Sequence, residues 1–127
     1  MKLNHDCVRH ALLELEEKME FLQNLTLTDI KEFESFHKYG EEDFIYSLLK
    51  LKDAGYIVAE YDEYYDQSYD MEIKAITWDG HSFLDNIRDP IIWKKVKGVS
   101  GKLASVSIPF LSKLAWHAVT NYFSLSD

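Results

Sequence analysis

The sequence predicts an α+β domain with a small antiparallel sheet and a helical C-terminal extension. Apolar residues recur at helical spacing near the start and in the middle of the chain. Two segments between residues 56 and 77 alternate apolar and polar residues as strands do, and a wide apolar stripe at helical spacing lies near the end. With 127 residues, 46% of them hydrophobic, the chain is long enough to bury one core.

The first helix is predicted from an apolar face, with Asn4 as its N-cap. This face consists of Val8, Leu12, Leu15 and Met19. The following segment, residues 24–40, is ambiguous. The alternation of Leu25 and Leu27 favours a short strand, whereas Thr28 and the residues after it could open a helix.

A second helix is predicted over "EEDFIYSLLKLKDAGY". Gly40 lies at its start, three acidic residues suit the positive end of its dipole, and Gly55 ends it. Its buried stripe is predicted to be Phe44, Ile45, Leu48, Leu49 and Leu51.

A β-hairpin is predicted next, with "YIVAEY" and "YDMEIKAIT" as strands. The connecting "DEYYDQS" contains no glycine, which indicates a loop longer than two residues.

The polar stretch "AITWDGHSFLDNIRD" is predicted to be the start and exposed side of a helix. Thr77 is a candidate N-cap, Asp79 suits the first turn, Gly80 allows close packing, and Asp89-Pro90 interrupts the helix.

The C-terminal part is predicted to be a linker over residues 98–105 and a helix over 106–127, with Ser107 as cap and Pro109 in the first turn. Its apolar stripe is wider than a small core requires, so the helix is a candidate for oligomerisation, packing on its own domain or on a partner. The candidate contact residues are Phe110, Leu111, Leu114, Trp116, Val119 and Tyr122.

The order of these elements up to residue 97 is that of a winged helix-turn-helix domain, and "LLKLKDAGYIVAE" resembles winged-helix proteins specifically. "ITWDGHSFLDNIRDPIIWKKVK" is similar to the segment after the wing in a family of uncharacterised bacterial and prophage winged-helix proteins. The matching positions are Thr77, Gly80, His81, Phe83, Leu84, Asp85, Ile87, Arg88, Asp89, Trp93 and Lys95. The resemblance runs from Val8 to Lys97 and implies a winged-helix fold, a bacterial or phage origin and no assigned activity. Ser47 departs from it, because members often have histidine there.

Charge opposes the DNA binding that a winged helix suggests. The chain has a formal net charge of -8, and residues 53–73 contain seven acidic residues and no lysine or arginine. Phosphate contacts dominate affinity for DNA, so this surface is expected to repel a duplex. The candidate nucleic-acid patch is therefore Arg88, Lys94, Lys95, Lys97 and Lys102.

The predicted wing is also rich in tyrosine, which is enriched at interface hot spots. Tyr61, Tyr64, Tyr65 and Tyr69 form a candidate protein-interaction patch. The alternative is that two or three of them complete the sheet and the others are solvated. A further hypothesis is an acidic surface that imitates DNA toward a basic protein.

Catalytic and metal sites have weak support in the sequence. His5, Cys7 and His10 do not converge on one side of a helix, and the single cysteine excludes an intrachain disulfide. His81 with Asp79 and Asp85 lacks an accompanying nucleophile elbow or phosphate-binding loop. We expect no enzymatic activity and no cofactor.

The sequence offers no signal peptide and no apolar run of membrane-spanning length, so a cytoplasmic location is expected. The leading functional hypothesis is a regulatory or protein-interaction module, with a homodimer through the terminal helix as one form. The alternative is a DNA-binding transcriptional regulator.

Overall fold

The computed structural model describes residues 1–100 and 108–124, and within them it has the predicted α+β composition. The elements in these two ranges are α1 (His5–Lys18), β1 (Leu25–Thr26), α2 (Leu27–Ile30), α3 (Glu34–Tyr39), α4 (Glu41–Asp53), β2 (Ile57–Glu63), β3 (Tyr69–Ile76), α5 (Trp78–Ile87), α6 (Pro90–Ser100) and α7 (Ile108–Ser124). No helix in this part of the chain combines the length and apolarity needed to cross a bilayer.

The three strands form one antiparallel sheet in the order β1-β3-β2. The short β1 places Leu25 opposite Ile73, while β2 pairs with β3 along its whole length except for a bulge between Val58 and Ala59. Met71 and Ile73 of β3 point into the core, as the alternation of that strand predicts.

The core lies between the helices and one face of the sheet, and its helical stripes follow the predicted periodicity with two corrections. Met19, predicted on the buried face of the first helix, is half-buried and lies just beyond the end of α1. In α1, Val8, Leu12 and Leu15 are completely buried. In α4, Leu49 is half-buried rather than buried, because the helix turns Ser47 toward the core instead.

The predicted helix ends near Asn4 and Gly55 are confirmed. The Asn4 Oδ1 accepts a hydrogen bond of 3.1 Å from the Cys7 amide, which caps α1. Gly55 follows α4 with a φ of +79°, a backbone conformation that glycine adopts without steric cost.

The polar residues of the stretch from Ala75 to Asp89 have the structural roles that the sequence predicts. Thr77 Oγ1 accepts from the Gly80 amide at 3.1 Å and donates to the Gly55 carbonyl at 2.6 Å. A Cβ atom at Gly80 would collide with the Tyr56 carbonyl oxygen, so α5 requires a residue without a side chain there. Asp89 caps the next helix, α6, whose first residue is a proline.

The ambiguous residues 24–40 form a two-residue strand followed by two short helices. Thr26 and Asp29 make a reciprocal capping box, so α2 begins at Leu27 rather than after Thr28. Gly40 is both the end of α3 and the N-cap of α4.

Two side chains of α1 fasten it to the C-terminal helices, and we call Asp6 and Arg9 the α1 clamp. Asp6 accepts from Trp93 Nε1 at 2.9 Å and from Lys97 Nζ at 2.8 Å. Arg9 donates to two carbonyl oxygens at the end of α5, each at 2.8 Å, and its guanidinium carbon lies 5.8 Å from the centre of the Trp93 ring. The clamp therefore satisfies backbone oxygens that α5 leaves unpaired at its C-terminus.

The terminal helix α7 packs against α5 and α6 of its own domain. Ala115 is buried, and Leu114, Ala118 and Val119 lie against the core. The preceding helix continues to Ser100, three residues into the segment predicted as a linker. The predicted cap Ser107 lies outside the described residues.

Candidate interaction surfaces

The β2–β3 hairpin, residues 57–76, occupies the position predicted for the wing. At its tip the Tyr64 amide donates to the Ser68 carbonyl at 2.9 Å, and the Gln67 amide donates to the Tyr64 carbonyl at 3.0 Å. Gln67 has a φ of +68°, and Asp66 accepts from the Ser68 amide at 3.0 Å. This is a three-residue loop whose last residue is left-handed, so the turn is well defined despite the absence of glycine.

The four tyrosines of the predicted patch divide into two pairs. Tyr65 at the tip is fully exposed and Tyr64 is 53% exposed. Tyr61 and Tyr69 are partly buried against the core, with ring centres 5.9 Å apart. Two of the four tyrosines thus complete the sheet, and two are presented to solvent at the loop.

The loop end of the hairpin is joined to the start of α4. Tyr69 donates a hydrogen bond of 2.5 Å to Glu41. Burial is the larger cause of a raised pKa for Tyr69, and the hydrogen bond to the Glu41 carboxylate raises it further. Lys31 lies near both groups, 4.0 Å from a Glu41 oxygen. The N-terminus of α4, whose first turn is formed by Glu41, Glu42 and Asp43, therefore lies beside the loop end of the hairpin.

The solvent face of the hairpin places carboxylates directly opposite one another. Glu60 is opposite Glu72, and Asp62 is opposite Asp70. Like charges in such cross-strand positions destabilise a sheet. Lys74 relieves the first pair with an ion pair of 2.7 Å to Glu60. The solvent face of the hairpin is therefore predominantly negative.

Two residues of the candidate nucleic-acid patch form ion pairs with carboxylates of the same chain. Arg88 binds both carboxylate oxygens of Glu16, at 2.5 and 2.8 Å, and reaches Asp85 at 3.1 Å. Lys97 is paired with the clamp residue Asp6. Lys94 and Lys95 are exposed on α6, and Lys102 lies outside the described residues. Of the four patch residues that the structure describes, Arg88 and Lys97 are therefore engaged by carboxylates of the same chain.

The predicted catalytic candidates do not form a hydrogen-bonded triad. His81 is half-exposed, and its Nδ1 lies 3.9 Å from a Glu16 oxygen. Asp85 is engaged by Arg88 instead. Within the described residues no hydrogen bond connects His81 with Asp79 or Asp85.

The histidines and the cysteine of α1 also remain apart. Cys7 is completely buried, and burial raises the pKa of its thiol. His10 lies on another side of the helix, where its Nδ1 is 2.5 Å from the Tyr39 hydroxyl. Burial, with the nearby positive charge of Lys38, lowers the pKa of His10. In the part of the chain that the structure describes, no three His, Cys, Asp or Glu side chains are placed to hold a metal ion.

A buried carboxylate that sequence reasoning missed links α1 to α3. Glu14 is only 8% exposed and accepts from the amides of Glu34 and Ser35 at 2.8 and 2.9 Å. It also accepts from the Ser35 hydroxyl at 2.7 Å, and it borders an open groove of about 530 Å³ between the two helices. The signal for its burial was its spacing of seven residues from Cys7 on the inner side of α1.

A second missed feature is the turn after α1, which exposes two large apolar side chains. Phe21 is 90% exposed and Leu22 is 86% exposed, and Leu22 has a φ of +64°. Sequence reasoning gave no indication that these two side chains are exposed.

Three of the six residues proposed for the oligomerisation helix have side chains that the structure describes. Leu114 and Val119 contact the core of their own domain, whereas Trp116 is 59% exposed. The side chains of Phe110, Leu111 and Tyr122 lie outside the described part of the structure.

These features define a small α+β protein whose hairpin is acidic and ends in exposed aromatic residues. Residues 2–107 match a protein family described as "Hypothetical protein (DUF2513)", and the chain belongs to this family. A protein of Haemophilus influenzae named "Uncharacterized protein" is 31% identical over 117 residues, which cover 91% of this chain and 92% of that protein. No solved structure matches the chain significantly. The family match agrees with the expected membership of a family of unknown function.

Proposed function

We propose that this chain is a winged-helix protein that acts as a non-enzymatic interaction module and binds a positively charged protein partner through its β2–β3 hairpin. The order α1-β1-α2-α3-α4-β2-β3, with β1 beside β3, supports the winged-helix assignment. In that arrangement α4 takes the position of the recognition helix and the hairpin takes the position of the wing.

The charges on these two elements oppose contact with DNA. The end of α4 that would approach the bases begins with Glu41, Glu42 and Asp43. Lys50, near the other end of the helix, lies 3.4 Å from Asp53. A duplex has one phosphate charge per roughly 1.7 Å of its axis, so it would meet carboxylates on both contacting elements.

The observation that carries the proposal is the combination of paired carboxylates and exposed tyrosines on one hairpin. The opposed pairs Glu60–Glu72 and Asp62–Asp70 attract a partner of positive charge, which raises the rate of association and selects against acidic partners. Tyr64 and Tyr65, exposed at the tip, supply apolar area on a turn whose backbone is held by hydrogen bonds.

Fluorescence anisotropy with two labelled ligands tests this function. One ligand is a random DNA duplex and the other is a 20-residue peptide of alternating lysine and serine, each titrated at several salt concentrations. The peptide is expected to bind at low salt, and the duplex is not. Binding of the peptide should weaken about tenfold in a Tyr64→Ser, Tyr65→Ser variant, since tyrosine anchors at interfaces contribute on the order of 1–2 kcal/mol. A Lys94→Gln, Lys95→Gln variant serves as the matched control.

The opposite result identifies the alternative function. A DNA-binding regulator would show two properties. Its affinity for the duplex would fall by roughly 0.9 log units per log of salt for each phosphate contacted. That affinity would be lost in the Lys94→Gln, Lys95→Gln variant. Absence of peptide binding at the lowest salt would overturn the interaction proposal.

A further inference from the structure

Strand β2 is an edge of the sheet along its whole length. Among the described residues it pairs with β3 alone, and β3 lies between it and β1. An edge strand presents a row of backbone N–H and C=O groups that another extended chain can pair with.

The register shows which backbone groups of β2 face outward. The Tyr64 amide donates to Ser68, so this pair is hydrogen-bonded, and hydrogen-bonded pairs alternate along an antiparallel ladder. Counting back from Tyr64, the backbone groups of Asp62 and Glu60 face β3. Those of Glu63, Tyr61 and Ala59 therefore face away from the sheet. Three consecutive outward positions are enough to align an added strand.

The side chains of β2 select the kind of strand that can be added. Glu60 and Asp62 are exposed on the solvent face, and Glu63 is exposed at the end of the strand. A second copy of this chain would bring these carboxylates against themselves across the new pairing, which is unfavourable. A strand with lysine or arginine at alternate positions would instead place opposite charges beside Glu60 and Asp62.

We propose that the outer edge of β2 binds an extended, basic segment of a partner protein as a fourth strand of the sheet. This inference rests on the proposed function and specifies how the partner is held. Main-chain hydrogen bonds to Ala59, Tyr61 and Glu63 align the segment, and its alternate basic side chains lie next to Glu60 and Asp62. Strand addition of this kind obtains affinity from the backbone and specificity from alternate side chains.

Two peptides that differ only in their backbone test the inference on the full chain. The first is a nine-residue peptide of alternating lysine and valine with blocked ends. The second has the same sequence, with N-methyl groups on alternate residues, so that one edge loses its donors while the charge is unchanged. Anisotropy titration is expected to show binding of the first peptide about tenfold or more tighter than binding of the second, as the loss of two or more hydrogen bonds predicts.

A second measurement locates the binding. Amide hydrogen exchange followed by NMR should slow at Ala59, Tyr61 and Glu63 when the first peptide is added, since these amides gain acceptors. A Glu60→Gln, Asp62→Asn variant should bind that peptide about tenfold more weakly. The matched control, a Glu17→Gln, Glu20→Gln variant, removes the same charge from α1 and the turn after it, and its affinity should be unchanged.

The outcomes separate the two proposals. Equal affinity for both peptides, with no slowing of exchange at the three amides, would overturn strand addition while leaving an electrostatic interaction module in place. Failure of both peptides to bind would overturn both proposals.

Discussion

Replacing Glu14 by glutamine tests whether one buried carboxylate holds the start of α3 in place. The side chain of α1 provides the hydrogen-bond acceptor that α3 lacks in its own sequence, because its N-cap residue Phe33 has no side-chain oxygen. The two amides at the start of α3 and the Ser35 hydroxyl donate to it, and Lys18 forms an ion pair with it at 2.9 Å. Glutamine preserves the shape and one oxygen but loses the charge and one acceptor.

The expected cost follows from these contacts. Hydrogen bonds to a charged group contribute about 1.5–3 kcal/mol each, and part of that remains with the amide oxygen of glutamine. We expect Glu14→Gln to lower the free energy of unfolding by about 2 kcal/mol at pH 7, which corresponds to a loss of roughly 8 °C in Tm for a domain of this size. Urea unfolding followed by far-UV circular dichroism measures the change in the free energy of unfolding.

The pH dependence of the stability difference shows whether the charge of Glu14, rather than its shape, stabilises the protein. Burial alone would raise the pKa of Glu14, but hydrogen bonds from Lys18, Ser35 and the Glu34 amide outweigh it and hold the pKa below its ordinary value of 4.5. A carboxylate with a lowered pKa stabilises the folded state above pH 4.5, and that contribution is lost as the pH falls through the folded-state pKa. The difference in the free energy of unfolding between the parent protein and the Glu14→Gln variant should therefore become smaller at acidic pH.

The control is Glu17→Gln, which removes an exposed charge from the same helix and should change stability by less than about 0.5 kcal/mol. Equal stability of the Glu14→Gln variant and the parent protein at pH 7 would refute the capping role. A difference that does not shrink in acid would refute the role of the charge.

Three further substitutions test the packing. Gly80→Ala should destabilise the protein by at least about 2 kcal/mol in thermal unfolding, because the new Cβ meets the Tyr56 carbonyl. The control is Gly98→Ala on α6, where a new Cβ meets nothing within 4 Å, and this variant should be equally stable or more stable than the parent protein. Ser47→Ala should stabilise by about 1 kcal/mol in urea unfolding, since among the described residues this buried hydroxyl has only the Cys7 thiol, a weak hydrogen-bonding group, beside it. A loss of stability would mean that the hydroxyl is satisfied. Arg9→Ala removes two bonds to the end of α5 and should lower stability by about 2 kcal/mol; an unchanged urea midpoint would show that water replaces the guanidinium.

The features that the sequence predicted correctly depend on residues close together in the chain. Thr77 caps an amide three residues away, and Asn4 does the same, so their roles can be read from local spacing. Gly55 follows a helical stripe and precedes a strand, where a left-handed residue is common. The hairpin was predictable for the same reason, because its strands are joined by a short loop.

The features that were missed depend on contacts between distant segments. Glu14 accepts from amides 20 and 21 residues away, and Arg88 pairs with a carboxylate 72 residues away. Charge counting treated Arg88 as part of a free positive patch, because nothing in its neighbourhood in sequence indicates Glu16 as a partner. Composition predicted the sign of the hairpin's charge, but only the register shows that its carboxylates stand opposite one another.

The α1 clamp has a consequence for the order in which the protein is assembled during synthesis. The bond between Asp6 and Trp93 joins residues 87 positions apart, and the bond between Asp6 and Lys97 joins residues 91 positions apart. Because synthesis runs from the N-terminus, α1 is made long before these partners are available. Its apolar face, with Val8, Leu12 and Leu15, remains incompletely covered until α3, α4 and α5, the helices it packs against, have also been made. Chaperones that recognise exposed apolar helices have this interval in which to act.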